Sequence, residues 1–236
     1  MSRGARAPDR VVAYGAQADQ IIEIRSGAAA REHPLVILIH GGFWRPDIDR
    51  VHLRPLADAI AAAGWTAALP EYSRVAGDPA PTLADLALLL SRVAADVVGH
   101  DGRVVLVGHS AGGHLALWAT AAQLCPPLVG TLALAPAADL RLAHELNLGE
   151  GAVTHFLGCD PARRPDLDPR RMPAPLTATT IVHGTEDEIV PLSVSESYVA
   201  AHPQVRLVSL AGAGHFALID PLAPAWQVLM TELAAF

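Results

Sequence analysis

The sequence predicts an α/β protein: a mostly parallel eight-stranded sheet with helices on both faces and a small cap insertion. Three observations predict it. Short β-rich apolar runs alternate with longer helical windows from residue 35 onward. The runs are apolar throughout, as strands covered on both faces must be. A length of 236 residues suits one large α/β domain, 1–236.

The strand-like runs are 11–14, 21–24, 35–39, 66–69, 104–107, 131–135, 177–182 and 205–210. No helical window separates the first two, so they read as an antiparallel edge hairpin added to the parallel sheet. Helical windows at 53–63, 82–98, 112–124, 191–201 and 221–235 fill later gaps. In the second, Thr82 and Asp85 have capping-box spacing, and Leu83, Leu86, Leu90 and Val93 share a face that should lie on the sheet. Residues 139–175 break the alternation with short helical pieces near 142–146 and 152–157, then a Pro/Arg/Asp-rich run at 161–171. Such a run cannot build its own core, so the expectation is a small cap over the strand ends. Its arginines, Arg163, Arg164, Arg170 and Arg171, read as a solvated face.

Composition excludes several chemistries. All 17 Lys+Arg are Arg, so no Schiff-base lysine, P-loop lysine or lysine base exists. With a net charge of −7 and dispersed arginines, there is no basic stripe for nucleic acid. Residues 1–10 lack an apolar signal core, and no run approaches the roughly 18 apolar residues of a membrane span, so a soluble, cytoplasmic protein without a membrane partner is expected. Cys125 and Cys159 fall in no C-x-x-C pattern and read as ordinary reduced thiols.

The chemistry concentrates at strand ends. Gly108-His109-Ser110-Ala111-Gly112 fits G-x-S-x-G between the 104–107 strand and a helical window. A tight strand-to-helix turn there pushes the Ser110 hydroxyl clear of the backbone, which marks Ser110 as the candidate nucleophile. A serine hydroxyl needs a base, and His215, in the glycine-containing loop after the last strand, is best placed among 11 histidines. The loop after the preceding strand offers Glu186, Asp187 and Glu188; Asp187 is chosen because a glycine-led turn directs it back toward the strand ends. The order Ser, Asp, His is neither that of chymotrypsin nor that of subtilisin.

The 35–39 strand ends in His40-Gly41-Gly42-Phe43-Trp44, whose glycines leave N–H groups free for a developing oxyanion. Gly42, Phe43 and Ala111 are the candidate donors, and His40 should hold that loop rather than act as a second base. Phe43 and Trp44 either present aromatic surface to a substrate or pack under the cap. His109 and Phe216, beside the nucleophile and base, are further pocket candidates. Tyr72 and Arg74 either line the pocket or brace a loop. Trp65 and Trp118 read as core, and Glu71 and Asp139 as supports behind the site. His109 and His114 are five apart, which fits no common helical zinc pair, so no metal is expected.

Together, the order of His40 to Trp44, Gly108 to His114, His183 to Asp187 and Gly214 to Phe216 resembles the α/β-hydrolase superfamily over nearly the whole chain. The His-Gly-Gly-Phe-Trp form resembles its kynurenine formamidase (arylformamidase) branch and bacterial esterase relatives more than the hormone-sensitive-lipase branch, which has a third glycine at Phe43. The resemblance implies an α/β-hydrolase fold and cofactor-free hydrolysis of a small acyl or formyl group from an ester or aryl amide. Against a formamidase stand a general short-chain carboxylesterase and a non-catalytic ligand-binding protein. The chain is short for a formamidase, and its oligomeric state, homodimer included, stays open.

Overall fold

A computed structural model describes residues 4–236; residues 1–3, the start of the polar opening segment, lie outside them. The strands are β1 (Arg10–Ala13), β2 (Ile21–Arg25), β3 (Leu35–Ile39), β4 (Ala67–Pro70), β5 (Val104–His109), β6 (Leu128–Leu134), β7 (Ala178–Gly184) and β8 (Arg206–Leu210). They form one sheet in the order β1-β2-β4-β3-β5-β6-β7-β8. β1 pairs antiparallel with β2, and β2 antiparallel with β4; every other pairing is parallel.

The alternation of β3 explains the layers. Leu35, Ile37 and Ile39 pack in one core with α2 (Ala80–Asp96) and α3 (Ala111–Ala121). Val36 and Leu38 pack in the opposite core with α1 (Arg54–Ala62) and α7 (Ala225–Leu233). All five β3 side chains are fully buried. Each contributes roughly 1.5–3 kcal/mol relative to exposure, so this strand anchors both layers. α6 (Leu192–Ala201) joins the α3 side through Tyr198, which packs with Leu117 and Ile181.

Two expectations need correction. The Thr82 capping box does not form: α2 begins earlier, with Pro81 in its first turn. Thr82 Oγ1 instead donates to the Ser73 carbonyl, and Asp85 accepts from Ser73 N–H and Gln20 Nε2. Prolines suit the first turn, where N–H groups lack helical acceptors anyway, so they outweigh the Thr/Asp spacing.

The second correction concerns 139–175. Its helices, α4 (Leu140–Glu145) and α5 (Ala152–Leu157), are present, but the charged run is more embedded than its composition suggests. Leu167 and Asp168 are buried. The Leu167 carbonyl accepts from His114 Nε2 (2.8 Å), Pro169 O from His202 Nε2 (3.1 Å), and Asp168 Oδ1 from Leu140 N–H (3.1 Å). Backbone carbonyls and the Asp168 carboxylate tie the run down, together with the Leu167 side chain in the α2–α3 core.

Candidate active site

The site lies where β3, β5, β7 and β8 end, the edge at which open parallel sheets hold ligands. After β5 the chain turns into α3 through Ser110, at φ 58° and ψ −120°. A non-glycine residue there costs roughly 1–3 kcal/mol and must be over-determined by its surroundings. Ser110 N–H donates to Leu134 O at 2.8 Å, and Ser110 O accepts from His114 N–H at 3.1 Å. A Cβ at Gly108 would strike Gly112 O, and one at Gly112 would strike Ile39 O, so this turn admits only glycine at both places.

The loop after β7 brings Asp187 back to the strand ends. Its Oδ1 accepts from Ile189 N–H (2.9 Å) and Val190 N–H (2.8 Å), and its Oδ2 accepts from His215 Nδ1 at 2.7 Å. Burial alone would push this carboxyl up, but the hydrogen bonds of His183 and His215, the charge of His215 and the Val190 N–H hold it well below the carboxylate range. Asp187 is therefore ionised at neutral pH. Because Nδ1–H of His215 serves Asp187, its Nε2 is left as the proton acceptor. His183, which the sequence reading overlooked as a brace, points Nε2 at Val190 O (2.8 Å) with Asp187 Oδ2 also 3.4 Å from that nitrogen, and its Nδ1 accepts from Ser195 Oγ at 2.7 Å.

Ser110 and His215 line one cavity of about 490 Å³. Gly42, Phe43, Ile48, His52 and Pro55 line it from the segment after β3, and His109 lies beside the serine. Ile189 contributes from the β7 loop, and Phe216, Ile219, Asp220 and Pro221 from the β8 loop. The wall is mainly apolar and carries no arginine. At its rim Phe216 is 64% exposed and Ile189 38%. Of the pocket candidates, Phe43, His109 and Phe216 line the cavity. Trp44 and Tyr72 do not. Trp44 is buried against Phe156, ring centroids 4.8 Å apart, and Tyr72 is fully buried with its hydroxyl donating to His40 O at 2.7 Å. Ile48, His52 and Pro55 escaped the sequence reading. The apolar segment following His215 carried the clearest signal for the Phe216–Pro221 side.

No residue of 139–175 lines this cavity. The expected cap over the strand ends is instead packed beside α3 and behind the Phe43–Trp44 loop. Its polar and proline-rich run is held by hydrogen bonds to α3 and α6 flanks, which draws it away from the opening.

His109 donates from Nε2 to the His215 carbonyl at 3.1 Å, and the two rings lie 4.5 Å apart. Burial, then the charge of His215, push its pKa well below the usual imidazole value, so it is neutral. Behind the β3 loop, His40 Nε2 meets Glu71 Oε1 at 2.9 Å, and Glu71 also engages Arg50 and Arg74. Burial raises the Glu71 carboxyl, but His40 and Arg74 outweigh it and hold it ionised. Arg74 donates from Nε to Arg45 O at 3.0 Å: it and Tyr72 brace the loop.

Gly42, Phe43 and Trp44 are left-handed in succession, with φ 111°, 52° and 56°. No hydrogen bond among the described residues takes the N–H of Gly42 or Phe43. The N–H of Ala111, at the first position of α3, has no intrahelical acceptor. Among the described residues no group of three or more His, Cys, Asp or Glu could hold a metal ion, and no helix is long and apolar enough to cross a membrane.

Solved structures share this architecture. Esterase B from Lactobacillus rhamnosis matches with a TM-score of 0.79 and 19% identity over 98% of this chain and 87% of that one. A truncated carbohydrate esterase from gut microbiota gives 0.81 and 14% over 99% of both. The chain has the α/β-hydrolase fold. A third solved structure with this fold is a thermophilic esterase from the Planctomycetes species Thermogutta terrifontis, with TM-score 0.73 and 22% identity over 98% of this chain and 93% of that one. That esterase has also been seen phosphonylated by sarin. The BD-FAE family model matches residues 23–126, β2 to just past α3. No curated protein matches the chain.

Proposed function

We propose that this α/β-hydrolase is a serine carboxylesterase for small, uncharged, apolar esters, with Ser110 as nucleophile, His215 as base and Asp187 as its orienting acid. The observation that carries the proposal is a strained, cavity-lining Ser110 sharing its cavity with a His215 that Asp187 holds at 2.7 Å. His215 Nε2 takes the Ser110 proton as Oγ attacks the ester carbonyl. The resulting oxyanion rests on the N–H groups of Gly42, Phe43 and Ala111. Its collapse expels the alcohol, which leaves with the proton from His215. Water, activated by the same histidine, then frees the acid.

The apolar wall supports an uncharged substrate, because a buried charge without a partner is costly. N-formylkynurenine carries an amino-acid carboxylate, and the cavity offers no arginine to receive it. Withdrawal of Trp44 also removes part of the aromatic surface on which the formamidase reading drew. The esterase neighbours, one of them phosphonylated, support an acyl-transfer reading.

The test is labelling by a fluorophosphonate together with kcat/KM for p-nitrophenyl butyrate and N-formylkynurenine. Labelling lost in Ser110→Ala, with butyrate preferred, is expected. A preference for the formamide would reinstate the formamidase reading, and an unlabelled wild type would leave a ligand-binding protein.

A further inference from the structure

We infer that the segment from Leu140 to Gly158 positions the Gly42–Phe43–Trp44 loop from behind, keeping its left-handed backbone and its free N–H groups in place. Phe43 and Trp44 occupy backbone space that side chains disfavour, at φ 52° and 56°, so something must hold them there. Two contacts from α5 and the turn before it do so.

The first is a stack. Trp44 lies on Phe156 of α5 with centroids 4.8 Å apart and planes 14° from parallel. Its Nε1–H donates to His114 Nδ1 at 3.3 Å, and His114 Nε2–H in turn donates to Leu167 O at 2.8 Å. Burial lowers the His114 pKa to about 4, so the ring stays neutral and can accept from Trp44. The second contact is a backbone seat. A Cβ on Gly149 would come within 2.7 Å of the Phe43 ring, so only a bare backbone lets that ring settle. Arg45 closes this seat: its Nη2 donates to Gly149 O at 2.7 Å, and its guanidinium carbon lies 5.8 Å from the Phe43 centroid. The segment itself lines no part of the cavity and reaches it only through Phe43. Its residues are therefore positioning residues, acting through the loop that would hold the oxyanion.

The effect on turnover rests on the serine-esterase reading; the effect on the loop does not. The experiment therefore has two arms on full-length Phe156→Ala, with Arg45→Met as the milder variant should the first not fold. Amide hydrogen exchange at Arg45, whose N–H donates to Gly42 O at 3.0 Å and closes the loop, is expected to quicken at least about tenfold in Phe156→Ala, with β5 and β7 unchanged. Turnover of p-nitrophenyl butyrate, counted per fluorophosphonate-titrated site, should fall about 10–100-fold at constant KM. A trifluoromethyl ketone, whose serine adduct carries an oxyanion, should weaken by the same factor. Trp44→Phe, which keeps the stack on Phe156, should retain most of the wild-type rate. Unchanged exchange overturns the inference, as does faster exchange with unchanged kcat or a KM effect alone. A wild type that neither labels nor hydrolyses esters overturns the esterase reading, while exchange still decides the support of the loop.

Discussion

Two regions border the same end of the sheet and differ in almost every respect. The loops after β3, β7 and β8 present an apolar cavity, and the buried carboxylates behind it are engaged: Asp187 by His215 and two backbone N–H groups, and Glu71, just after β4, by His40, Arg50 and Arg74. The 139–175 segment carries much of the local charge, yet it lines none of the cavity, and Asp168 Oδ2 is buried there without a partner. Charge density in the sequence therefore points away from the chemistry. Pairing of the buried carboxylates, rather than of every buried polar atom, points toward it: His109 Nδ1 in the cavity wall has no partner, but an ionised group can be kept buried and ready only when its partners are already in place.

The comparison breaks if chemistry follows the second region. The largest effect expected is from Ser110→Ala: turnover should fall by three or more powers of ten, toward ~10⁶, with the melting curve nearly unchanged. A variant keeping a tenth of wild-type kcat would remove Ser110 from its role. Asp187→Asn should cost on the order of 10⁴ in kcat by holding the imidazole in the wrong tautomer. An equal loss in Glu186→Gln, with Asp187→Asn silent, would shift the acid by one residue.

The rim offers a finer test. Phe216→Ala should raise KM for butyrate or longer esters about tenfold, roughly 1.4 kcal/mol of lost apolar contact, and affect acetate less. A uniform loss of kcat instead would place Phe216 in the support of His215.

Acid titration of stability separates Asp168 from Asp187 and Glu71 by sign. Asp187 and Glu71 have folded pKa values below their ordinary 3.8 and 4.5. Their stabilisation is complete above those values and is lost as pH falls through the folded ones. Asp168 is raised above its ordinary 3.8, chiefly by burial, then moderated by the Leu140 N–H. It costs stability as pH rises from about 3.8 through its folded pKa. In urea melts between pH 5 and 3, Asp187→Asn should flatten the acid loss of stability and Asp168→Asn should steepen it. At pH 7, Asp168→Asn should be neutral or stabilising by under about 1 kcal/mol, with kcat within twofold. Marked loss of activity in that variant would undo the contrast.

Much of the architecture was legible because it is encoded locally. The 35–39 run and β3 coincide, and each expected strand is present within a few residues, since buried strands need unbroken apolar stretches. The edge hairpin followed from the missing helix between β1 and β2. Ser110 was marked by its flanking glycines, whose neighbours leave no room for a side chain. The fates of Trp44 and Tyr72 were not legible. Each depends on a partner far along the chain, Phe156 for one and His40 for the other, and an aromatic after a strand reads the same whether it faces ligand or core. The 161–171 run misled for a related reason: apart from Leu167, it is held by backbone carbonyls and the Asp168 carboxylate, whose partners do not show in its composition.

The amino-acid order by itself determined the sheet, its two helix layers and the strand ends that carry a hydroxyl, a carboxylate and an imidazole. Periodicity and glycine sterics act over a few residues, so they can be read along a line. Tertiary structure alone decided which aromatics face the cavity, that the charged segment sits behind a loop instead of above the opening, and which buried carboxylates are fully paired. Those outcomes depend on desolvation and on hydrogen-bond partners remote in the chain, 28 positions apart for Asp187 and His215 and 104 for Arg45 and Gly149. Such distances become contacts only when the chain is folded.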